Sequence, residues 1–401
     1  MKIGILGEGF VDWGGGIDFL RGVSTALHFA DPAIEQHVLV PSRGLNVTLQ
    51  AARERVKRLL GRPTHAAHRP KWEHVERTFS ETGARLHAVD LGPAALARAS
   101  RQLGLDVLLP AIAPLPDSVG VPWVGYLFDF QHKRLPHFFS DVESTTRDAA
   151  FERMLHSARA VIVNARDVAN DVRHFYPDSR ARLFALPFSA APGDDWFDQD
   201  VADTARRHGV HGPWFVICNQ FWKHKDHETA FKAFAELARQ HADVSLVCTG
   251  ATSDYRYPGH FDELMAYARR EGIGDRIHVL GLIPKLDQVA LLRGAVALVQ
   301  PTLFEGGPGG GAVSDALSVG TPAIVSDIAV NREIDEPAVT WFEASNAPAL
   351  AARMDEALRR AGDARDDRAE LFRRGRERRI AVGNRLLEAM AFARGDASSR
   401  P

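Results

Sequence analysis

Cysteine is almost missing: Cys218 and Cys248 are the only two in 401 residues, and each falls inside a stretch predicted as a strand. That excludes a disulfide-stapled framework and a cysteine-based metal centre, and both read as buried thiols in a reducing compartment. No uncharged run approaches the length of a membrane span. The opening MKIGILGEGF has no basic segment followed by a long apolar core, so no secretory signal is expected. An excess of either charge is missing too: 49 Lys and Arg against 51 Asp and Glu leave a formal net charge of −2. Nucleic acid is therefore not expected as a main partner. No short-period repeat occurs. These absences leave a cytoplasmic globular protein, for which length gives a prior of roughly two to three domains.

Glycine is concentrated in one place. Leu298 to Arg332 reads LVQPTLFEGGPGGGAVSDALSVGTPAIVSDIAVNR. The apolar run through Val296, Leu298 and Val299 stops at Pro301, which predicts a buried strand and its end. Glu305 follows, then Gly306, Gly307, Gly309, Gly310 and Gly311 around Pro308. Ala312 to Val319 is a helix-compatible run carrying Asp315, ended by Gly320-Thr321-Pro322, and Ala323 to Val325 starts a new strand. Such a strand–loop–helix–strand unit puts its loop at the carboxyl end of a strand, where open α/β sheets bind ligands. Glycines let the backbone approach a ligand, and the helix N-terminus behind them favours an anion. Glu305 and Asp315 would repel that anion, so they suit hydroxyl groups beside it. Diphosphate flanked by polyols is the pattern of a sugar nucleotide; a plain flexible loop is the alternative.

PTLFEGGPGGGAVSDALSVGTPAIVSD resembles the donor-site signature of retaining glycosyltransferases of family 4, of the bacterial cell-surface polysaccharide type, which have the GT-B fold. The usual spacing is a carboxylate, seven residues and a second carboxylate. Here Asp315 stands ten residues after Glu305, so the loop is two residues longer and Asp replaces Glu.

The rest of the chain reads as strands alternating with helices, which implies two mostly parallel sheets covered on both faces. Lys2 to Leu6 is a strand, Gly7-Glu8-Gly9 and Trp13-Gly14-Gly15-Gly16 are glycine turns, and Ile17 to Phe29 is a helix. Asp12 sits where a dinucleotide fingerprint needs a third glycine, which argues against a nicotinamide site. Further strands are expected at His37–Val40, Arg85–Val89, Val107–Leu109, Val121–Tyr126, Ala160–Val163 and Arg182–Leu186. Helices are expected at 46–60, 93–103, 144–157 and 165–175. The polar stretch 191–212 reads as a linker between a domain over 1–190 and one over 213–375. Its Asp198-Gln199-Asp200 has the form of a metal-diphosphate motif, though a solvated carboxylate pair is the plainer reading. The second half restarts with strands at Trp214–Cys218, Val244–Thr249, Ile277–Leu280 and Ala295–Val299, and a helix at Glu228–Gln240. Residues 376–401 form a last helix and a polar tail. The cluster Arg373, Arg374, Arg376, Arg378 and Arg379 suits peripheral contact with the inner membrane face or pairing with neighbouring acids, the plainer reading.

The resemblance implies two Rossmann-like domains facing each other across a cleft, with the last helix crossing back to the first. It makes Gly15 and Gly16 part of an N-terminal glycine loop facing the donor phosphates. In DFQH, it gives His132 a place near the donor sugar with Asp129 as its neighbour. In NQFWKHKDH, the family's Arg and Lys grip the diphosphate; here Gln220 replaces the Arg, Lys225 keeps its role and Lys223 restores some charge. Gly250 ends a strand as in the family, and the loop containing Ile283 holds the base through backbone groups. Glu305 is expected to position the sugar, while Gly306, Gly307, Gly309, Gly310, Gly311 and Asp315 line the donor site. The implied activity is retaining transfer of a hexose from a nucleotide diphosphate sugar, with no metal or cofactor, to a glycan or lipid-linked acceptor. A GDP-sugar of the mannose type is the favoured donor. A sugar-nucleotide 2-epimerase and a non-catalytic sugar-nucleotide binder are the alternatives.

Overall fold

The computed structural model describes residues 1–11, 14–41, 79, 82–363 and 365–396. The helix expected over 46–60 lies outside them, as do Asp12, Trp13 and residues 397–401.

The first domain runs β1 (Lys2–Leu6), α1 (Gly14–Ala30), β2 (Glu35–Pro41), β3 (Arg85–Val89), α2 (Pro93–Leu103), β4 (Val107–Ala111) and β5 (Trp123–Leu127). It continues with the short α3 (Gln131–Arg134), then α4 (Asp141–Ser157), β6 (Ala160–Val163), α5 (Arg166–Phe175) and β7 (Arg182–Ala185). The seven strands pair in parallel in the order β3-β2-β1-β4-β5-β6-β7. Every residue of VLLPA in β4 and AVIV in β6 is buried, as a parallel sheet covered on both faces requires. A capping box between Ser140 and Glu143 starts α4.

The second domain runs α6 (Val201–Arg207), β8 (Trp214–Cys218), α7 (His227–Ala238), β9 (Ser245–Thr249), α8 (His260–Arg270), β10 (Ile277–Gly281) and α9 (Lys285–Gly294). It ends with β11 (Leu298–Gln300), α10 (Gly310–Ser318), β12 (Ala323–Ser326), β13 (Val339–Phe342), α11 (Ala347–Arg359) and α12 (Arg368–Arg394). Its sheet order is β10-β9-β8-β11-β12-β13, again parallel. Both sheets therefore reverse their winding once, at β1/β4 and at β8/β11, and a crevice opens outside the strand ends at each reversal.

Three details depart from the sequence expectation. The linker stretch contains α6, whose Ala205 packs in one core with Trp214, Val289 and Leu292. Asp200 is its N-cap, accepting the Asp203 N–H at 2.6 Å. Strand β13, too short and mixed to stand out in the sequence, extends the second sheet beside β12.

Helix α12 starts earlier than expected and crosses to the first domain. Val382, Leu386, Ala389, Met390 and Ala393 join the core formed by β1, α1 and β4. A side chain at Gly383 would begin 2.2 Å from the Ala26 carbonyl oxygen, so its absence lets α12 lie directly on α1. The basic cluster is paired within the protein. Arg373 bridges Glu370 and Glu377, Arg374 meets Asp366, Arg378 meets Glu336, and Arg376 and Arg379 lie over Phe29. Among the described residues no helix is long and apolar enough to cross a membrane.

Candidate active site

Strands β8 and β11 are neighbours at the winding reversal of the second sheet, so the loops leaving them face one another. The β8 loop ends in a 3-10 turn, Lys223–Lys225, and Asp226 turns into α7 from a left-handed conformation, φ 50°. This presents the Lys225 ammonium to the β11 loop, where it donates to Glu305 Oε1 at 2.6 Å. The two side chains are only 15% and 9% exposed.

Buried amides fix the pair. Gln300, fully buried at the end of β11, donates to Glu305 Oε1 at 2.8 Å and to the Gly309 carbonyl at 3.1 Å. Its own oxygen accepts from Asn219 of the β8 loop at 2.7 Å, tying the two loops together. Asn331, also fully buried, accepts the Gly309 N–H at 2.8 Å and donates to the Ser326 carbonyl. Each of these polar atoms would be costly to bury unpaired.

The glycines are needed by this geometry. Gly309 and Gly310 have φ of +65° and +61°, and a Cβ at Gly310 would lie 3.0 Å from Glu305 Oε2. At Gly311 a Cβ would meet nothing within 4 Å, so the first turn of α10 borders open space. The loop faces the first domain. A Cβ at Gly306 would lie 3.0 Å from the Asp129 Cβ, and one at Gly307 would lie 3.2 Å from the Asn164 Cβ. Glu305, Lys225, the glycine loop and Asp129 thus come together in the interdomain crevice, beside the positive dipole end of α10.

Asp129 accepts from the Gln131 N–H at 3.0 Å and from Arg147 at 2.8 Å. His132, expected beside it near the sugar, lies instead in the interior. Phe130, Phe139 and Phe151 surround its ring, Nε2 bonds Asp148 at 2.9 Å, and the residue is 1% exposed. Burial holds its pKa below the usual histidine value. Lys223 places its ammonium 4.6 Å from the centre of the Tyr257 ring. Gln220 is exposed on the β8 loop, where its carbonyl accepts the Trp222 N–H at 2.8 Å. Gly250 donates its N–H to the Gly281 carbonyl at 2.8 Å, joining the ends of β9 and β10. Ile283 packs partly buried against the second-domain core, after the exposed Leu282. Gly15 and Gly16 form the first turn of α1, which starts at Gly14 where a loop was expected. A Cβ at Gly16 would begin 2.2 Å from the Phe10 carbonyl oxygen.

Asp315 pairs with Lys285 at the start of α9. Burial raises the Asp315 pKa and Lys285 opposes that; Asp18 and Arg21 of α1 act on it across the crevice with opposite signs. Lys285, Gln300, Asn331 and Asn164 were not anticipated. Gln300 had a visible signal, a polar residue closing an apolar strand just before Pro301. Asn331 had none, because its role depends on a turn, Ala329–Glu333, that tertiary structure brings to the loop.

Residues 204–378 match the family described as glycosyl transferases group 1. No curated protein matches the chain in sequence. Among solved structures, sucrose-phosphate synthase from Thermosynechococcus elongatus is similar at 18% identity and a TM-score of 0.61, covering 99% of this chain and 98% of that one. HepE from Anabaena, solved with UDP and glucose, is similar at 14% identity and a TM-score of 0.59, covering 100% and 99%. WaaG, a glycosyltransferase involved in lipopolysaccharide biosynthesis, is similar at 15% identity and a TM-score of 0.52, covering 96% and 95%. The chain thus has the two-domain GT-B fold over its whole length, and its second domain, which carries Lys225, Glu305 and the glycine loop, matches the group 1 glycosyl transferases.

Proposed function

We propose that the protein is a retaining glycosyltransferase that moves a hexose from a nucleotide diphosphate sugar to a glycan or lipid-linked acceptor in cell-surface polysaccharide synthesis. The observation that carries this reading is the Lys225–Glu305 pair, 2.6 Å apart beside the glycine loop and against Asp129 of the facing domain. A diphosphate entering the crevice takes the Lys225 ammonium and the N–H groups at the start of α10, and Glu305, released from the lysine, accepts from sugar hydroxyls. As the glycosidic bond to the leaving phosphate lengthens, charge grows on the phosphate oxygens, and pre-set donors there stabilise the transition state more than the ground state. Asp315, paired with Lys285, suits the ribose hydroxyls.

Support for a sugar-nucleotide donor comes from the group 1 match and from HepE, a protein of the same fold solved with UDP and glucose. Retention, the hexose and independence from metal rest on the resemblance of PTLFEGGPGGGAVSD to family 4, which also favours a GDP-sugar of the mannose type. Peripheral residence at the inner membrane face is part of the same reading.

The test incubates the enzyme with GDP- and UDP-sugars and membrane-derived saccharide acceptors, with and without chelator. Nucleotide release that needs acceptor, with a glycosylated product, is expected in both conditions. Conversion of donor to its epimer without acceptor would replace the reading by an isomerase, and donor binding without any turnover would replace it by a binding protein. Activity abolished by chelator would remove the metal-free claim.

A further inference from the structure

A second concavity lies away from Lys225 and Glu305. A groove of about 550 Å³ opens where α5, β7, the turn Ala329–Glu333 and the crossing helix α12 meet, so that both domains line it. Four arginines project at its walls, Arg166 and Arg173 from α5, Arg332 from the turn and Arg385 from α12, beside two carboxylates, Asp167 and Glu333.

Among the described residues three of the four arginines have a carboxylate partner, and Arg173 has none. Glu333 accepts the Arg166 N–H at 2.9 Å and the Asp167 N–H at 2.7 Å at the start of α5, and it pairs with the Arg166 guanidinium at 3.3 Å. Arg332 is clamped by both oxygens of Asp327, and Arg385 is anchored by the Ala185 carbonyl at 3.2 Å and by Glu388. Asp327 and Glu388 lie outside the groove lining while Ala185 belongs to it, and together they fix the two guanidinium planes. Arg173 bonds the neutral Asn170 amide oxygen at 2.7 Å. Burial favours the uncharged form of Asp167, which weakens the acidic side further. Rigid, planar guanidinium groups match phosphate or carboxylate oxygens two at a time. The floor, alanines of α5 and β7 with Leu183, is apolar, and Asn170 offers an amide beside it. That combination fits the mixed surface of a pyranose, and the volume lies in the range of small-ligand sites.

We propose that this groove binds a phosphorylated monosaccharide, as a ligand site separate from the donor crevice. It stands independently of which transfer reaction the crevice performs.

The test uses the full chain and thermal unfolding, with glucose 6-phosphate, glucose and inorganic phosphate as probes and GDP and UDP as separate arms. Glucose 6-phosphate should raise Tm saturably, by more than inorganic phosphate at equal concentration, and glucose should leave it unchanged. The double variant Arg173→Gln/Arg385→Gln should lose the sugar-phosphate response and keep its nucleotide response. No response to glucose 6-phosphate, equal responses to it and to phosphate, or a response that survives in the double variant would overturn the site. If the double variant does not fold by circular dichroism, Arg173→Gln alone should weaken the sugar phosphate at least tenfold by calorimetry, and an unchanged Kd would overturn the site equally. Loss of the nucleotide arm alone would count against the donor reading and leave this groove standing.

Discussion

Glu305 holds two relations that a change of one atom separates. Glu305→Gln keeps the shape and a hydrogen bond but removes the charge that meets Lys225 and the sugar hydroxyls. Turnover should fall by more than about tenfold with donor affinity changed little, because the lost interaction strengthens in the transition state. Steady-state kinetics beside calorimetry read this directly, and an equal loss in kcat and affinity would contradict a positioning role. A different residue-scale consequence follows from the histidines under the β8 loop. Burial pushes His224 down to about 2 and His227 down to about 3, and both ring nitrogens of His227 lack a hydrogen-bond partner among the described residues. Between pH 6.5 and 3 the unfolded chain binds protons that the native state refuses at these positions, so stability falls as pH drops. Each such histidine contributes a slope of up to about 1.4 kcal/mol per pH unit. His227 stacks on Phe221 at 4.1 Å, so His227→Phe should keep the packing and flatten the dependence of urea midpoints on pH between 6 and 4. A parallel profile would remove His227 from the acid response.

At the scale of elements, the β11 loop is a glycine segment held by one asparagine and one glutamine from its own domain. Asn331→Ala leaves the Gly309 N–H buried without its acceptor, which costs about 1–3 kcal/mol. Thermal unfolding should fall accordingly, and KM for donor should rise because the loop loses its shape; an unchanged Tm would mean that another group takes over the Gly309 N–H. Much of this element was legible beforehand. Glu305, the glycines and Lys225 come at strand ends, and the alternation of apolar and glycine-rich stretches gives strand ends away. The expectation for His132 was less secure for a physical reason: a histidine just after a strand end can point outward or inward. Here Phe130, Phe139 and Phe151 form an aromatic enclosure that only tertiary structure assembles. Lys223 shows the same limit, since the Tyr257 ring that it covers lies 34 positions along the chain. Strand β13 and helix α6 escaped notice because four and seven residues of mixed polarity leave no periodic signal.

Over the whole molecule, the two sheets were expected from alternating patterns, but how they face one another depends on contacts of no sequence proximity. The glycine loop against Asp129 and Asn164, Glu333 capping α5, and α12 lying on α1 set that arrangement together. Gly383→Leu inserts a side chain where the Ala26 carbonyl stands and should lift α12 from the first domain, costing about 1–3 kcal/mol or more by overpacking. Differential scanning calorimetry should show a lower Tm for the first domain, and an unaltered transition would mean that the crossing helix adds little to the fold. The central claim is that a diphosphate lodges between these domains on Lys225 and the glycine loop. Isothermal titration of GDP and UDP into the wild type and Lys225→Ala tests it most directly. The account predicts saturable binding of one of them to the wild type, weakened about 30- to 1,000-fold in the variant, as loss of a desolvated charge partner worth about 2–4 kcal/mol would give. Equal affinity in the two proteins, or no binding of either nucleotide to the wild type, would contradict it.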